Sequence, residues 1–171
     1  MDANFGISGG GRKAEDLFRE FTGAGRTSSS AEGDALLDGS PVEVKRATKS
    51  TINQVRAVKY IPLVIYFDPE QAWYVVPAHA VIALVSRKTR GQHTENPFES
   101  ATLSLANLSP YRIASGADLK EAVRTAVASS ARYPQLRDAM RTVLDDSRAL
   151  AADSVRRVHV LLAELGLAER D

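Results

Sequence analysis

Apolar residues recur at helical spacing from Arg12 onward, at Ala14, Leu17, Phe18 and Phe21, and the pattern stops at Gly23 and Gly25. This predicts a first helix over residues 11–22. After the polar run GRTSSSAEG, the apolar runs DALL and VEVKRA flank DGSP, a turn signal that predicts a hairpin. In its second strand Val42 and Val44 share one face while Glu43 and Lys45 share the other. STINQVRAVKY carries Ile52, Val55 and Val58 at helical spacing behind a Ser50 or Thr51 cap, and predicts a second helix. IPLVIYFD is a continuous apolar run of strand length, as expected of a strand buried on both faces. A second strand, AWYVVPA, follows the turn DPEQ, and alternation buries at least one of its rings, Trp73 or Tyr74. HAVIALVSRKTR reads as a helix with its basic residues at the C-terminal end, and ATLSLANL as an edge strand beyond the polar loop 91–100.

From Gly116 the chain turns Ala-, Arg- and Asp-rich. Helices are expected at about 116–131, from Pro134 to about 147, and on to Leu165 before Gly166. The order of elements predicts an α/β fold: a mixed central β-sheet flanked by helices, with a C-terminal helical extension. The expected organisation is a flexible leader at 1–10, a core domain at 11–115 and the extension at 116–171.

The length of 171 residues suits one such domain with a genuine core. No cysteine is present, which excludes disulfides and thiolate metal sites, and the three histidines are scattered. The triple glycine 9–11 lacks the preceding strand and following Gly-Lys-Ser/Thr of a phosphate loop. No signal peptide or membrane-length apolar run is read, so an intracellular, cytoplasmic location is expected. The formal charge is only +1, but basic residues cluster at Lys45, Arg46, Lys49, Arg56 and Lys59, with no acid among them, and again at Arg87, Lys88 and Arg90. Such clusters suit phosphates and equally suit a solvated face. Residues 116–171 hold nine basic and nine acidic residues, so packing or oligomerisation fits that region better than polyanion binding.

The chemistry concentrates in residues 34–45, where an acid precedes Glu-Val-Lys by nine positions. A hard divalent cation takes oxygen ligands and is often held by one or two carboxylates plus substrate phosphate. Asp34 and Glu43 supply that pair, with the Val44 backbone carbonyl as a further oxygen, and Lys45 lies on the same strand face as Glu43. Asp38 competes for the role of first acid, but the Asp38-Gly39 turn directs it away from the sheet face. An ammonium beside a metal-bound carboxylate can position or deprotonate a water and offset charge in the transition state.

This arrangement resembles the PD-(D/E)xK nucleases, the superfamily of restriction endonucleases and archaeal Holliday-junction resolvases. Asp34 and Glu43-Val44-Lys45 match its signature, and Gly33 stands where the name of the family has proline. The resemblance covers about residues 11–85. It implies a restriction endonuclease-like fold for the core domain and a magnesium-dependent endonuclease, with manganese able to substitute. Glu15 on the first helix resembles an assisting glutamate, and reads equally as a solvent-facing acid. Gln54 resembles a supporting helix glutamine, although its spacing to Tyr60 departs from the exonuclease pattern. Ser28, in the serine run, is similar in position to a resolvase loop serine.

The implied partner is DNA, as a duplex or four-way junction, bound by a homodimer. Arg26, Ser28, Arg46, Lys49, Arg56, Lys59, Arg87, Lys88, Arg90 and His93 are the expected DNA contacts; His79, where a helix begins, is expected to be a cap or surface residue, and His159 to be structural. A junction-selective enzyme is the leading expectation. A sequence-specific type II restriction enzyme reading DNA through loop 91–100 comes next, then a catalytically inactive nucleic-acid-binding module and an unrelated interaction domain.

Overall fold

The computed structural model describes residues 8–29, 32–145 and 151–168. Helix α1 (Ser8–Thr22) begins three residues before the predicted start and takes in the triple glycine; the expected leader is 1–10, of which residues 1–7 lie outside the described residues. It buries Ala14 and Phe18 completely. Gly23, left-handed at φ +71°, closes its last turn by donating its N–H to Arg19 O at 2.8 Å.

Strands β1 (Ala35–Leu37) and β2 (Ser40–Ala47) form the predicted hairpin. Asp38 and Gly39 both take positive φ, +50° and +81°, the pair that a two-residue primed turn requires. The main sheet runs β1-β2-β4-β5, with β4 at Leu63–Phe67 and β5 at Ala72–Val76. β2 and β4 are parallel and the outer pairs antiparallel, so the sheet is mixed, as the sequence pattern predicts.

Parallel neighbours need a crossover, and here it differs from the expected helix. Residues 51–55 form strand β3 (Thr51–Val55), followed by a 3-10 turn at Ala57–Lys59. β3 pairs with β6 (Ala101–Ser104) as a separate two-stranded sheet, Ile52 opposite Leu103. Thr51, Ile52 and Val55 are β-branched and favour pleated pairing once a partner strand exists. Residues three apart face opposite ways along a regular strand, yet Ile52 and Val55 are both buried. A register shift between them, with Gln54 at φ +55°, turns both inward and so imitates helical spacing.

The sheet separates two apolar layers. Val42, Val44, Val64, Tyr66, Trp73 and Val75 pack toward α1 and α3 (Leu119–Ser130). Leu63, Ile65, Tyr74 and Val76 belong to the other layer, with α2 (Ala78–Ser86), α4 (Pro134–Asp145), α5 (Ala151–Glu164) and the β3–β6 pair. Trp73 and Tyr74 are therefore both core residues, on opposite faces. Side chains from 119–162 complete both layers, through Leu119 and Val123 on one side and Leu136, Met140 and Leu162 on the other.

α2 ends at Ser86, short of the predicted Arg90. Lys88 N–H closes the final turn on Val85 O at 2.9 Å, which leaves Arg87, Lys88 and Arg90 exposed beyond the helix. Loop 91–100 is tied down: Phe98 is fully buried, and its carbonyl accepts the Val58 N–H at 3.1 Å. Among the described residues no helix is long and apolar enough to cross a membrane.

Candidate active site

Asp34 stands immediately before β1, and two hydrogen bonds tie it to β2 on either side of Glu43. Its N–H donates to Val42 O, and its Oδ2 accepts the Val44 N–H, both at 2.9 Å. Gly33 makes this placement possible at φ +135°, a backbone conformation closed to proline. A Cβ at Gly33 would lie 3.0 Å from Val42 O and 3.2 Å from Ile61 Cδ1. Glycine is thus the residue this hairpin requires before Asp34. Gly33→Ala is expected to destabilise the fold by about 1–3 kcal/mol and to displace Asp34, measurable as a lower denaturation midpoint.

Backbone polar groups of successive strand residues face alternate edges. Glu43 N–H donates to Pro62 O at 3.0 Å on the β4 side, so the N–H and carbonyl of Val44 face the Asp34 side. Of the sequence-predicted trio, Asp34 is thus bonded to the Val44 backbone at this edge of β2, and it lies within electrostatic reach of Glu43. Lys45 joins it, with Nζ 3.4 Å from Glu43 Oε1.

A fourth group was assigned elsewhere by sequence. Lys59 Nζ donates to Glu43 Oε2 at 2.7 Å, and both side chains are largely buried, at 12% and 13% exposure. The expectation of a DNA contact at Lys59 did not include this pairing. No spacing rule signals the pair, because Lys59 meets Glu43 only when β4 docks parallel to β2.

Burial pushes the Asp34 carboxyl above its ordinary value, and the charge of Glu43 adds to the shift. The Val44 N–H and the ammonium groups of Lys59 and Lys45 oppose it. A carboxyl raised in the folded state binds more protons there than when unfolded, so stability falls as pH rises from the ordinary carboxylate value through the raised one. Asp34→Asn keeps an oxygen for the Val44 N–H and removes the charge. It is expected to be more stable than the wild type near pH 7, by about 1 kcal/mol or less. The difference should vanish below about pH 4, as followed by urea unfolding at the two pH values.

Glu15 and Asp34 line one open groove of about 640 Å³, together with Asp16, Arg19, Arg26 and Ser28. A backbone bridge between Gly25 and Leu36 holds this wall against β1. The structure thus brings the helix glutamate to the same cleft as Asp34, where its carboxylate lies 3.9 Å from Arg19. Ser28 Oγ donates to Glu32 Oε2 at 2.7 Å, and Arg26 is exposed.

Gln54 is not brought to the site on a helix. It lies in β3 with its side chain exposed, and its N–H donates to Gln92 Oε1 at 2.8 Å. The basic run 45–59 does not form one face either. Strand alternation puts Arg46 on the α1 side, where it pairs with Asp68, which Lys13 also approaches at 3.5 Å. The Arg46 guanidinium holds the Asp68 carboxyl below its usual range, so Arg46 braces the sheet and its charge is offset. Lys49 and Arg56 are exposed, and His93 and Arg90 line a second open groove of about 680 Å³.

His79 is half-buried at the start of α2, and His159 is exposed on α5. His79 packs on the Tyr133 ring, with Nδ1 3.3 Å from Ser130 Oγ, and burial lowers its pKa; His159 lies against Phe98.

The donor set at β2 is all oxygen, which suits magnesium or manganese. No group of three or more His, Cys, Asp or Glu side chains able to hold a metal occurs among the described residues. A metal would therefore rest on Asp34, Glu43 and the Val44 carbonyl, with water and substrate phosphate filling the remaining positions. Burial and, after it, the charge of Glu43 raise the Asp34 carboxyl, and a bound cation would act in the opposite sense. In comparisons with known proteins, the chain matches no protein-family model, no curated protein and no solved structure.

Proposed function

We propose that this protein is a magnesium-dependent DNA endonuclease that hydrolyses phosphodiester bonds and selects branched substrates such as four-way junctions. The supporting observation is the Asp34 carboxylate, tied to the Val44 N–H beside Glu43, with Lys45 on the same Glu43 carboxylate. Asp34, Glu43 and the Val44 carbonyl hold the metal, which when bound polarises the phosphate and lowers the pKa of a coordinated water. Lys45 orients the attacking water and offsets negative charge developing on the phosphorus oxygens. Glu15 lines the same groove as Asp34 and would assist in holding the ion. Exposed Lys49, Arg56, Arg87, Lys88 and Arg90, with Arg26 at the groove, hold the DNA backbone. A homodimer places one such site on each strand, and Leu144 and Val160, exposed on α4 and α5, offer an apolar contact for it.

A second reading, a nucleic-acid-binding module without catalysis, is favoured by one observation: both oxygens of Glu43 already face lysines. Supercoiled plasmid and a synthetic four-way junction, incubated with and without magnesium, separate the two. Cleavage that needs magnesium and disappears in Glu43→Gln supports the nuclease, and preference for the junction over linear duplex supports structure selection. Binding without cleavage supports the module. Cleavage that survives Glu43→Gln removes the site assignment, and the absence of both binding and cleavage removes both readings.

A further inference from the structure

Lys59 approaches Glu43 more closely than Lys45 does, 2.7 Å against 3.4 Å, and on the other carboxylate oxygen. We propose that Lys59 is a built-in counter-ion that occupies Glu43 in the metal-free protein and is displaced when a divalent cation binds. The inference rests on the reading of Asp34 and Glu43 as metal ligands.

Charge balance is the first argument. Glu43 pairs with both Lys45 and Lys59, and Asp34 lies within their electrostatic reach, so two carboxylates are matched by two ammonium groups. A divalent cation at the same carboxylates would leave an excess of positive charge, and the ammonium bound directly to a ligand oxygen is the group in competition with it. An incoming phosphodiester then supplies an anion for the released ammonium, which couples metal entry to substrate capture.

The second argument is mechanical. The backbone beneath Lys59 is fixed: the Val58 N–H is held by Phe98 O at 3.1 Å, and Tyr60 is left-handed at φ +49°. The Tyr60 hydroxyl donates to Ser130 O at 2.8 Å, with Tyr133 O also within reach at 3.1 Å, between α3 and α4. Displacement therefore falls on the four-carbon side chain of Lys59, which can swing its charge without moving the turn. A lysine that merely oriented Glu43 would behave oppositely, and its removal would weaken metal binding.

Manganese binding to the full chain, read from the paramagnetic resonance of free Mn2+, decides between the two. Lys59→Met and Lys59→Gln are expected to bind Mn2+ at least about fivefold more tightly than the wild type, and Glu43→Gln to lose that binding. Equal or weaker binding in Lys59 variants with a wild-type circular dichroism spectrum overturns the inference and leaves the metal site standing. No Mn2+ binding by any form of the chain overturns both. The wild type offers an independent measurement: amine-reactive labelling of Lys59, read by mass spectrometry, should rise when Mn2+ is added. Unchanged labelling at saturating Mn2+ overturns the inference.

Discussion

Glu43→Gln is expected to reduce magnesium-dependent DNA cleavage by about 100- to 1,000-fold or more, and Lys45→Ala to do the same by a different route. Glutamine keeps the shape of Glu43 and an oxygen, but loses the charge that makes the carboxylate a ligand for a hard cation. It also leaves the Lys45 and Lys59 ammonium groups without the anion they share. The loss should appear first as a higher magnesium concentration needed for half-maximal rate. Lys45→Ala leaves Asp34, Glu43 and the Val44 carbonyl in place, so its magnesium requirement should stay near that of the wild type while kcat falls. Rates measured across a magnesium titration separate the two patterns. If both variants show the same kcat and the same magnesium requirement as the wild type, neither residue has the role given to it.

Phe98→Ala is expected to cost about 3–5 kcal/mol of stability, the largest effect of any single change proposed for this protein. Phe98 is fully buried, although it belongs to a loop that is polar on both sides of it, and its ring faces His159 on α5 at a centroid distance of 6.3 Å. Truncation leaves a cavity where loop 91–100, the β3–β6 pair and the C-terminal helices meet. For a chain of this size the loss corresponds to a melting temperature lower by roughly 10 °C. Because the carbonyl of Phe98 also holds the Val58 N–H, the turn that carries Lys59 should loosen with it. Calorimetry measures the first effect. Hydrogen exchange at Val58 measures the second, and unchanged protection there would show that the loop is held independently of the ring.

The hairpin shows how far a short stretch of sequence can reach. Asp38-Gly39 dictated a tight turn, and a period of two then placed Val42 and Val44 on one face of β2 and Glu43 and Lys45 on the other. Two of the four charged groups of the candidate site were therefore fixed relative to each other by bond geometry alone. Asp34 was identifiable because the turn consumed its rival, Asp38, which instead pairs with Arg124 on α3.

The crossover 48–62 shows where local reasoning stops. Ile52 and Val55, three residues apart, fit a helix face, and only the presence of β6 and a bulge at Gln54 makes them a strand. Pairing with a segment about fifty residues away leaves no mark on local spacing. The partners of two residues of the basic run were hidden for the same reason. Five cations without an acid look like one surface, but Arg46 turns to Asp68 and Lys59 to Glu43, and neither acid is near them in sequence.

By itself the sequence determined the mixed α/β layering, the hairpin and the acid, glutamate and lysine on it, because turn chemistry and the period of apolar residues act within a few positions. Tertiary structure decided which charges are partners. Ion pairs form between groups brought together by sheet order, and the parallel docking of β4 on β2 carried Lys59 to Glu43, turning a surface cation into part of the candidate site.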